Sequence, residues 1–255
     1  MAVLLEAQKL DKAYTLGKGN IYRALTNISL NIEEGEFVCI MGPSGSGKST
    51  LLYCVSGMDN ISGGSVAFAG KKLESLTEKE LAHLRLTKMG FVFQHGNLLK
   101  NLSIFDNIVV PAYLRGREKR SAVDGRAVSI MEQTGILYLK DHDISQVSGG
   151  ELQRASICRA LINEPAILFA DEPTGALNSS SANEIMGIFN AINTKGGTIL
   201  LVTHDAKVAA RGDRVLFMLD GVIKDEYIME RYCAGESDLK TREAALSEWL
   251  STQGF

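Results

Sequence analysis

Gly42-Pro43-Ser44-Gly45-Ser46-Gly47-Lys48-Ser49-Thr50 has the residue types and spacing needed to hold a chain of phosphates: a glycine, four residues, then Gly-Lys-Ser. Gly45 and Gly47 let the backbone curl so that successive N–H groups converge on phosphate oxygens. A helix beginning here adds about half a positive charge at its N-terminus. The Lys48 ammonium can reach the β and γ phosphates, and the Ser49 hydroxyl can hold Mg²⁺. A glycine turn that matches by chance is the alternative. The flanks count against it: Glu36–Met41 is a short apolar run that reads as a buried strand, and Ser49–Ser56 contains no helix breaker.

Further along, Asp171-Glu172 closes the apolar run Ala166–Ala170. Two carboxylates at the C-terminal edge of a buried strand suit a metal and a base. Asp171 is assigned to the Mg²⁺ shell, and Glu172 polarises water for attack on the γ-phosphate. Gln94 ends the run Phe91-Val92-Phe93. It can contact Mg²⁺ or the attacking water, or be a polar loop residue, and by itself decides nothing. His204 follows the run Thr198–Thr203, where it can bond a γ-phosphate oxygen and orient Glu172. His83, His95 and His142 lack such a setting and read as surface residues. Ser148-Gly149-Gly150-Glu151 opens a helical run to Ile162. Ser148 and Glu151 form a capping box, and the two glycines expose first-turn N–H groups, a second anion-binding helix start or ordinary capping. Tyr14, before the turn Gly17–Asn20, can stack on a base or pack against its strand neighbours.

The elements that must position these residues follow from periodicity and turn chemistry. Val3–Lys9, Ile21–Arg23, Ile28–Ile32 and Gly63–Phe68 are predicted strands. Thr77–Arg85 is a predicted helix with a Thr77/Glu80 capping box. Ile104–Tyr113 and Glu118–Thr134 are predicted helices broken by Pro111 and Gly116. A helix over Ser179–Thr194 precedes the strand Thr198–Thr203, and Arg214–Lys224 reads as a hairpin. Strands alternate with helices after Met41. The fold class is therefore α/β with a mostly parallel core sheet, an N-terminal antiparallel β subdomain, and an inserted α-helical subdomain at 97–163. The basic run 115–120 reads as a solvated helix start, with lipid headgroup contact as the lesser use. A C-terminal extension, 225–255, carries a helix over Ser237–Leu250 with Leu239, Leu246, Trp249 and Leu250 to one side. Docking on its own domain is its default, and facing a partner or membrane the alternative.

With 255 residues the chain can bury a substantial core. Its net charge of -3 disfavours nucleic-acid binding. No apolar run approaches the roughly 20 residues needed to cross a bilayer, and the start lacks the charge pattern of a secretion signal. A membrane role would need a partner. Cys39, Cys54, Cys158 and Cys233 are widely spaced and read as reduced thiols in a cytosol.

Taken in order, these stretches resemble the ATPase subunit of an ABC transporter over nearly the whole chain. Gly42–Ser49 match its Walker A loop, Gln94 the Q-loop, Val147–Glu151 the signature motif and Ile167–Glu172 Walker B. Ala176-Leu177-Asn178 matches the D-loop, His204 the switch histidine and Tyr14 the aromatic A-loop, which implies base stacking for Tyr14. The resemblance implies ATP and Mg²⁺ as ligands. Gly42, Ser44, Gly45, Ser46, Gly47, Lys48, Ser49 and Thr50 hold the phosphates. Ser49, Gln94 and Asp171 hold the metal, and Glu172, His204 and Gln94 serve hydrolysis. It also implies a head-to-tail pair of copies in which Ser148, Gly149 and Gly150 of one copy cap the γ-phosphate held by the other.

An integral membrane permease would hold the pair at the cytoplasmic face of a bacterial membrane and take the stroke near 95–107. Met41–Thr50, Gly90–Gln94 and Ala170–Leu177 resemble the lipoprotein-release and macrolide-export group. Gly149–Arg154 with Val202–Ala210 is similar to its bacitracin-resistance branch, which acts on antimicrobial peptides. Export of macrolide type, lipoprotein release and control of a cell-wall enzyme share the chemistry. A soluble ABC protein of DNA repair or translation would bring a second motif set or a long heptad run, and neither is present. Three positions depart from the family pattern: Asn178 stands for aspartate, Glu151 for glutamine and Val147 for leucine.

Overall fold

The first strand runs well past its expected end. In a computed structural model, which describes residues 2–232 and 237–255, strands β1 (Val3–Leu16) and β2 (Asn20–Glu33) form one long antiparallel hairpin. The strand was expected to stop at Lys9, and Ile21–Arg23 and Ile28–Ile32 to stand apart. Both expectations fail for one reason. Register shifts interrupt the ladder beside Leu10, and Lys9 and Asn27 take left-handed φ of 47° and 51°, so the pairing continues past breaks in the apolar alternation.

The chain continues through β3 (Phe37–Met41), α1 (Lys48–Val55), β4 (Gly63–Phe68), β5 (Lys71–Lys72) and α2 (Glu78–Lys88). Then come β6 (Met89–Phe93), α3 (Ile104–Arg115), α4 (Arg120–Gln133), α5 (Gly149–Leu161) and β7 (Ile167–Asp171). The last elements are α6 (Ser179–Thr194), β8 (Thr198–Val202), α7 (Ala206–Ala209), β9 (Arg214–Leu219), β10 (Val222–Ile228) and α8 (Ser237–Thr252). They divide into two units, Met1–Leu81 with Ile192–Phe255, and Ala82–Ala191.

In the first unit β2, β1, β4 and β5 make an antiparallel sheet in that order. Beside it β3 runs parallel to both β8 and β9, pairing Ile40 with Val202 and with Leu216. All of β3 and β8 is buried, which is why both read as unbroken apolar runs rather than alternation. Helix α8 docks on this unit, as expected by default. Leu246 and Leu250 are buried, and Trp249 packs against Tyr227 and Phe217 with ring centroids 5.3 and 6.2 Å apart. Arg242, 8% exposed, donates to the carbonyls of Ala210, Gly212 and Glu230 at 2.6–2.8 Å.

In the second unit β6 and β7 pair in parallel, and α3, α4 and α5 close on a core that includes Ile104, Ile108, Met131, Ala155 and Cys158. Pro111 does not break α3 as expected. Ile108, Val109 and Ala112 on either side of it are buried, and their packing holds the helix through the missing N–H until Gly116. The basic run is tied up locally. Arg115 and Arg126 both pair with Glu118, and Arg120 lies over the Tyr113 ring. Cys39, Cys54 and Cys158 are buried free thiols, and burial pushes Cys54 and Cys158 up to about 12. Cys233 lies outside the described residues.

Candidate functional site

The phosphate-loop residues occupy the turn between β3 and α1. Gly42, Gly45 and Gly47 have φ of 148°, 81° and 97°. A Cβ at Gly42 would overlap the Met218 carbonyl oxygen, and one at Gly47 would stand 2.7 Å from the Ala24 carbonyl. Only glycine fits at either place. The Ser46 carbonyl accepts from the Gly221 N–H at 3.1 Å, anchoring the loop to the β9–β10 turn. The Lys48 ammonium is buried and donates to the carbonyls of Gly42 and Pro43, both at 2.8 Å. Ser44 and Gly45 face outward, and Ser49 and Thr50 open α1, whose first turn carries no acidic residue. The Ser46 hydroxyl is buried with no hydrogen-bond partner among the described residues.

At the same C-terminal edge of the parallel strands, Thr203 N–H donates to the Ile40 carbonyl at 3.1 Å. His204 follows, exposed, and Asp205 caps α7 by accepting from Lys207 N–H at 2.8 Å. Tyr14 lies on β1. Its hydroxyl donates to Asp59 at 2.7 Å, which ties it to the turn that follows α1.

In the second unit β6 and β7 run in register from Met89/Ile167 to Phe93/Asp171. Gln94 and Glu172 therefore leave the same end of adjacent strands, one residue further on. Glu172 holds a left-handed φ of 48°, and its carbonyl accepts from Gly175 N–H at 3.1 Å. The Gln94 amide lies against Gly175: a Cβ there would be 2.9 Å from Gln94 Nε2.

Ser148 caps α5 in a full capping box. Its N–H and O–H both donate to Glu151 Oε2, at 2.7 and 2.6 Å, and Tyr138 donates to the other carboxylate oxygen. Ser148's hydrogen bonds, then Tyr138's, lower Glu151 to about 2, so it is ionised at neutral pH. Gly149 is exposed and Gly150 buried against Ser181. Helix α5 also grips the segment on both sides of Gln94. Gln153 donates to the Phe93 carbonyl at 3.0 Å, and Arg159 to the Gly96 and Asn97 carbonyls at 2.6 and 2.7 Å.

A family model described as ABC transporter matches residues 25–175. The chain belongs to the ABC transporter family. A bacitracin export ATP-binding protein from Halalkalibacterium halodurans is 40% identical over 252 residues, 98% of this chain and 96% of the relative. A macrolide export ATP-binding/permease protein from Chlorobium luteolum is 42% identical over 233 residues, 90% of this chain. The chain spans only 34% of that relative's length. Among solved structures, a dimeric ATP-binding cassette in a post-hydrolysis state, bound to ADP and phosphate, superposes with a TM-score of 0.83 at 37% identity. It covers 90% of this chain and 100% of its own. The protein is an ATP-binding and ATP-hydrolysing ABC domain with the family's α/β fold.

Several residues of this ABC domain escaped sequence reasoning. Lys12 shares a strand face with Tyr14 by the two-residue period, a signal available but unread. Asp59, Tyr138 and Arg242 carry no local signal. Register and packing bring them to their partners. Gln153 and Arg159 fall one and three turns along α5, and their target, the backbone of 93–97, is invisible in a residue pattern.

Proposed function

We propose that this chain is the ATPase subunit of a bacterial export system for antimicrobial peptides. Two copies would work through a permease at the cytoplasmic face of the membrane. The observation that carries this reading is the match to a bacitracin export protein over nearly the full length of both chains. No helix among the described residues is long and apolar enough to cross a membrane.

The residues divide the work as follows. Lys48 and the loop N–H groups neutralise and orient the phosphates. Ser49 and Asp171, with Gln94, would hold Mg²⁺. Mg²⁺ would keep phosphate and water oxygens in its shell beside these few protein ligands. The loop fits a phosphate chain: Gly42 and Gly47 leave no room for a Cβ, and the Ser46 hydroxyl is left with an unused donor. When bound, the metal spreads the charge that develops on the phosphates. Glu172 takes the proton of the attacking water, and Gln94 and His204 orient water and γ-phosphate. Tyr14 stacks on the base. Ser148, Gly149 and Gly150 of the second copy complete the γ-phosphate cage.

The test is to purify the chain from its native membrane in mild detergent and to delete its gene. An integral membrane protein that co-purifies, together with raised sensitivity to bacitracin-type peptides, supports the reading. A co-purifying permease without any change in peptide sensitivity moves the function to macrolide export, lipoprotein release or cell-wall control. Nucleic acid or ribosomes in place of a membrane protein overturn it.

A further inference from the structure

Lys12 is an unusual residue to find buried beside a nucleotide loop. It is 7% exposed, and its ammonium pairs with Asp59 at 2.5 Å and donates to the Asn60 carbonyl at 2.6 Å. The same ammonium stands over the Tyr14 ring, 4.6 Å from its centroid. The second Asp59 oxygen takes the Tyr14 hydroxyl at 2.7 Å. One carboxylate thus holds the lysine with one oxygen and the tyrosine with the other. The ring is fixed at its hydroxyl by Asp59, and at one face by a cation.

We infer that Lys12 and Asp59 are positioning residues for nucleotide binding: they lock the Tyr14 ring with one face covered by the Lys12 ammonium, leaving the opposite face for the base. This rests on the base-stacking reading of Tyr14. The arrangement has two physical consequences. A preset ring loses no side-chain freedom when a base arrives, so less of the stacking energy is given up to ordering. A cation against one face also draws ring electron density away from the other, which favours stacking on an electron-rich purine. Burial and the Asp59 bond push the Tyr14 hydroxyl up to about 12, so it remains a donor throughout the physiological range. Burial opposes the Asp59 charge, but the bonds from Lys12 and Tyr14 outweigh it and hold the carboxyl below its usual range. The Tyr14 hydroxyl and the Asp59 carboxylate thus keep one hydrogen-bonding pattern across the physiological range.

The experiment compares Lys12→Met, the charge-free pair Lys12→Met/Asp59→Asn, and Tyr14→Ala in the full chain. It measures KM and kcat for MgATP, and inhibition by inorganic triphosphate, which has no base. Both brace variants are expected to raise the KM for ATP about three- to tenfold, in line with a partly desolvated cation–π contact. They should leave kcat and the triphosphate inhibition constant as in the parent. Lys12→Met alone strands the Asp59 charge. If it fails to fold, the double variant, which removes both charges, still decides the matter. An unchanged KM in a folded brace variant whose Tyr14→Ala counterpart has lost ATP affinity overturns the brace and leaves base stacking standing. Equal weakening of ATP and triphosphate would mean damage to the loop, and also overturns it. Unchanged ATP affinity in Tyr14→Ala removes the base-stacking reading, and the brace with it.

Discussion

Glu172 combines two features that no residue pattern displays together. It follows Asp171 at the end of β7, and it holds a left-handed φ of 48°, a conformation that costs a non-glycine residue free energy. Replacing it with glutamine keeps the side-chain shape and the backbone demand and removes only the basic oxygen. Glu172→Gln is therefore expected to bind MgATP as the parent does while turnover falls by about 10²-fold or more. Fluorescence titration and single-turnover hydrolysis check the two halves separately, and near-normal turnover would remove Glu172 from the role of base. The phosphate loop was legible at this scale, because it is built from consecutive residues. Lys12 and Asp59 were not, because 46 intervening positions separate them in sequence and only strand β1 and the turn after α1 bring them to 2.5 Å.

Elements were legible where their periodicity is local and clean. Helix α6 and strand β4 fall on the expected residues, and the Thr77/Glu80 capping box forms with the Glu80 carboxylate accepting from Thr77 N–H at 2.8 Å. Misreadings arose where tertiary packing overrides local preference, as at Pro111 inside α3 and at the bulges of the β1–β2 ladder. Helix α8 shows a third kind of limit. Its apolar face was readable from Leu246, Trp249 and Leu250, but Arg242 looks like a surface residue in the sequence. In the fold it is buried and joins α8 to the carbonyls of Ala210, Gly212 and Glu230. Arg242→Met keeps much of the apolar stem and leaves those carbonyls without their donor. It should lower stability by about 2–4 kcal/mol, and the melting temperature by about 5–15 °C. A melting curve that superposes on the parent's would show that α8 is held by its apolar face alone.

At the scale of the whole molecule, the proposed pairing makes the start of α5 the decisive surface, because the Ser148 and Gly149 that close a site would belong to the other copy. In the single chain, Ser148's N–H and O–H both point to the Glu151 carboxylate. A γ-phosphate arriving there must draw the hydroxyl away from Glu151 and meets a carboxylate that is ionised at neutral pH. Two substitutions should then act in opposite directions. In a Glu172→Gln background, where ATP is held without turnover, Ser148→Arg blocks the approach of the second copy and should abolish the ATP-dependent dimer without weakening ATP binding to the single chain. Glu151→Gln keeps the capping geometry, because an amide oxygen also accepts from Ser148, and it removes the charge. It should tighten the dimer about three- to tenfold, as expected for one partly screened charge near a phosphate, with the gain shrinking as salt is raised. Sedimentation velocity with MgATP at low and high ionic strength reads both. A Ser148→Arg chain that still dimerises would contradict pairing through α5. A Glu151→Gln chain with parental dimer affinity at low salt would show that Glu151 is only a cap, with no bearing on how the two copies close.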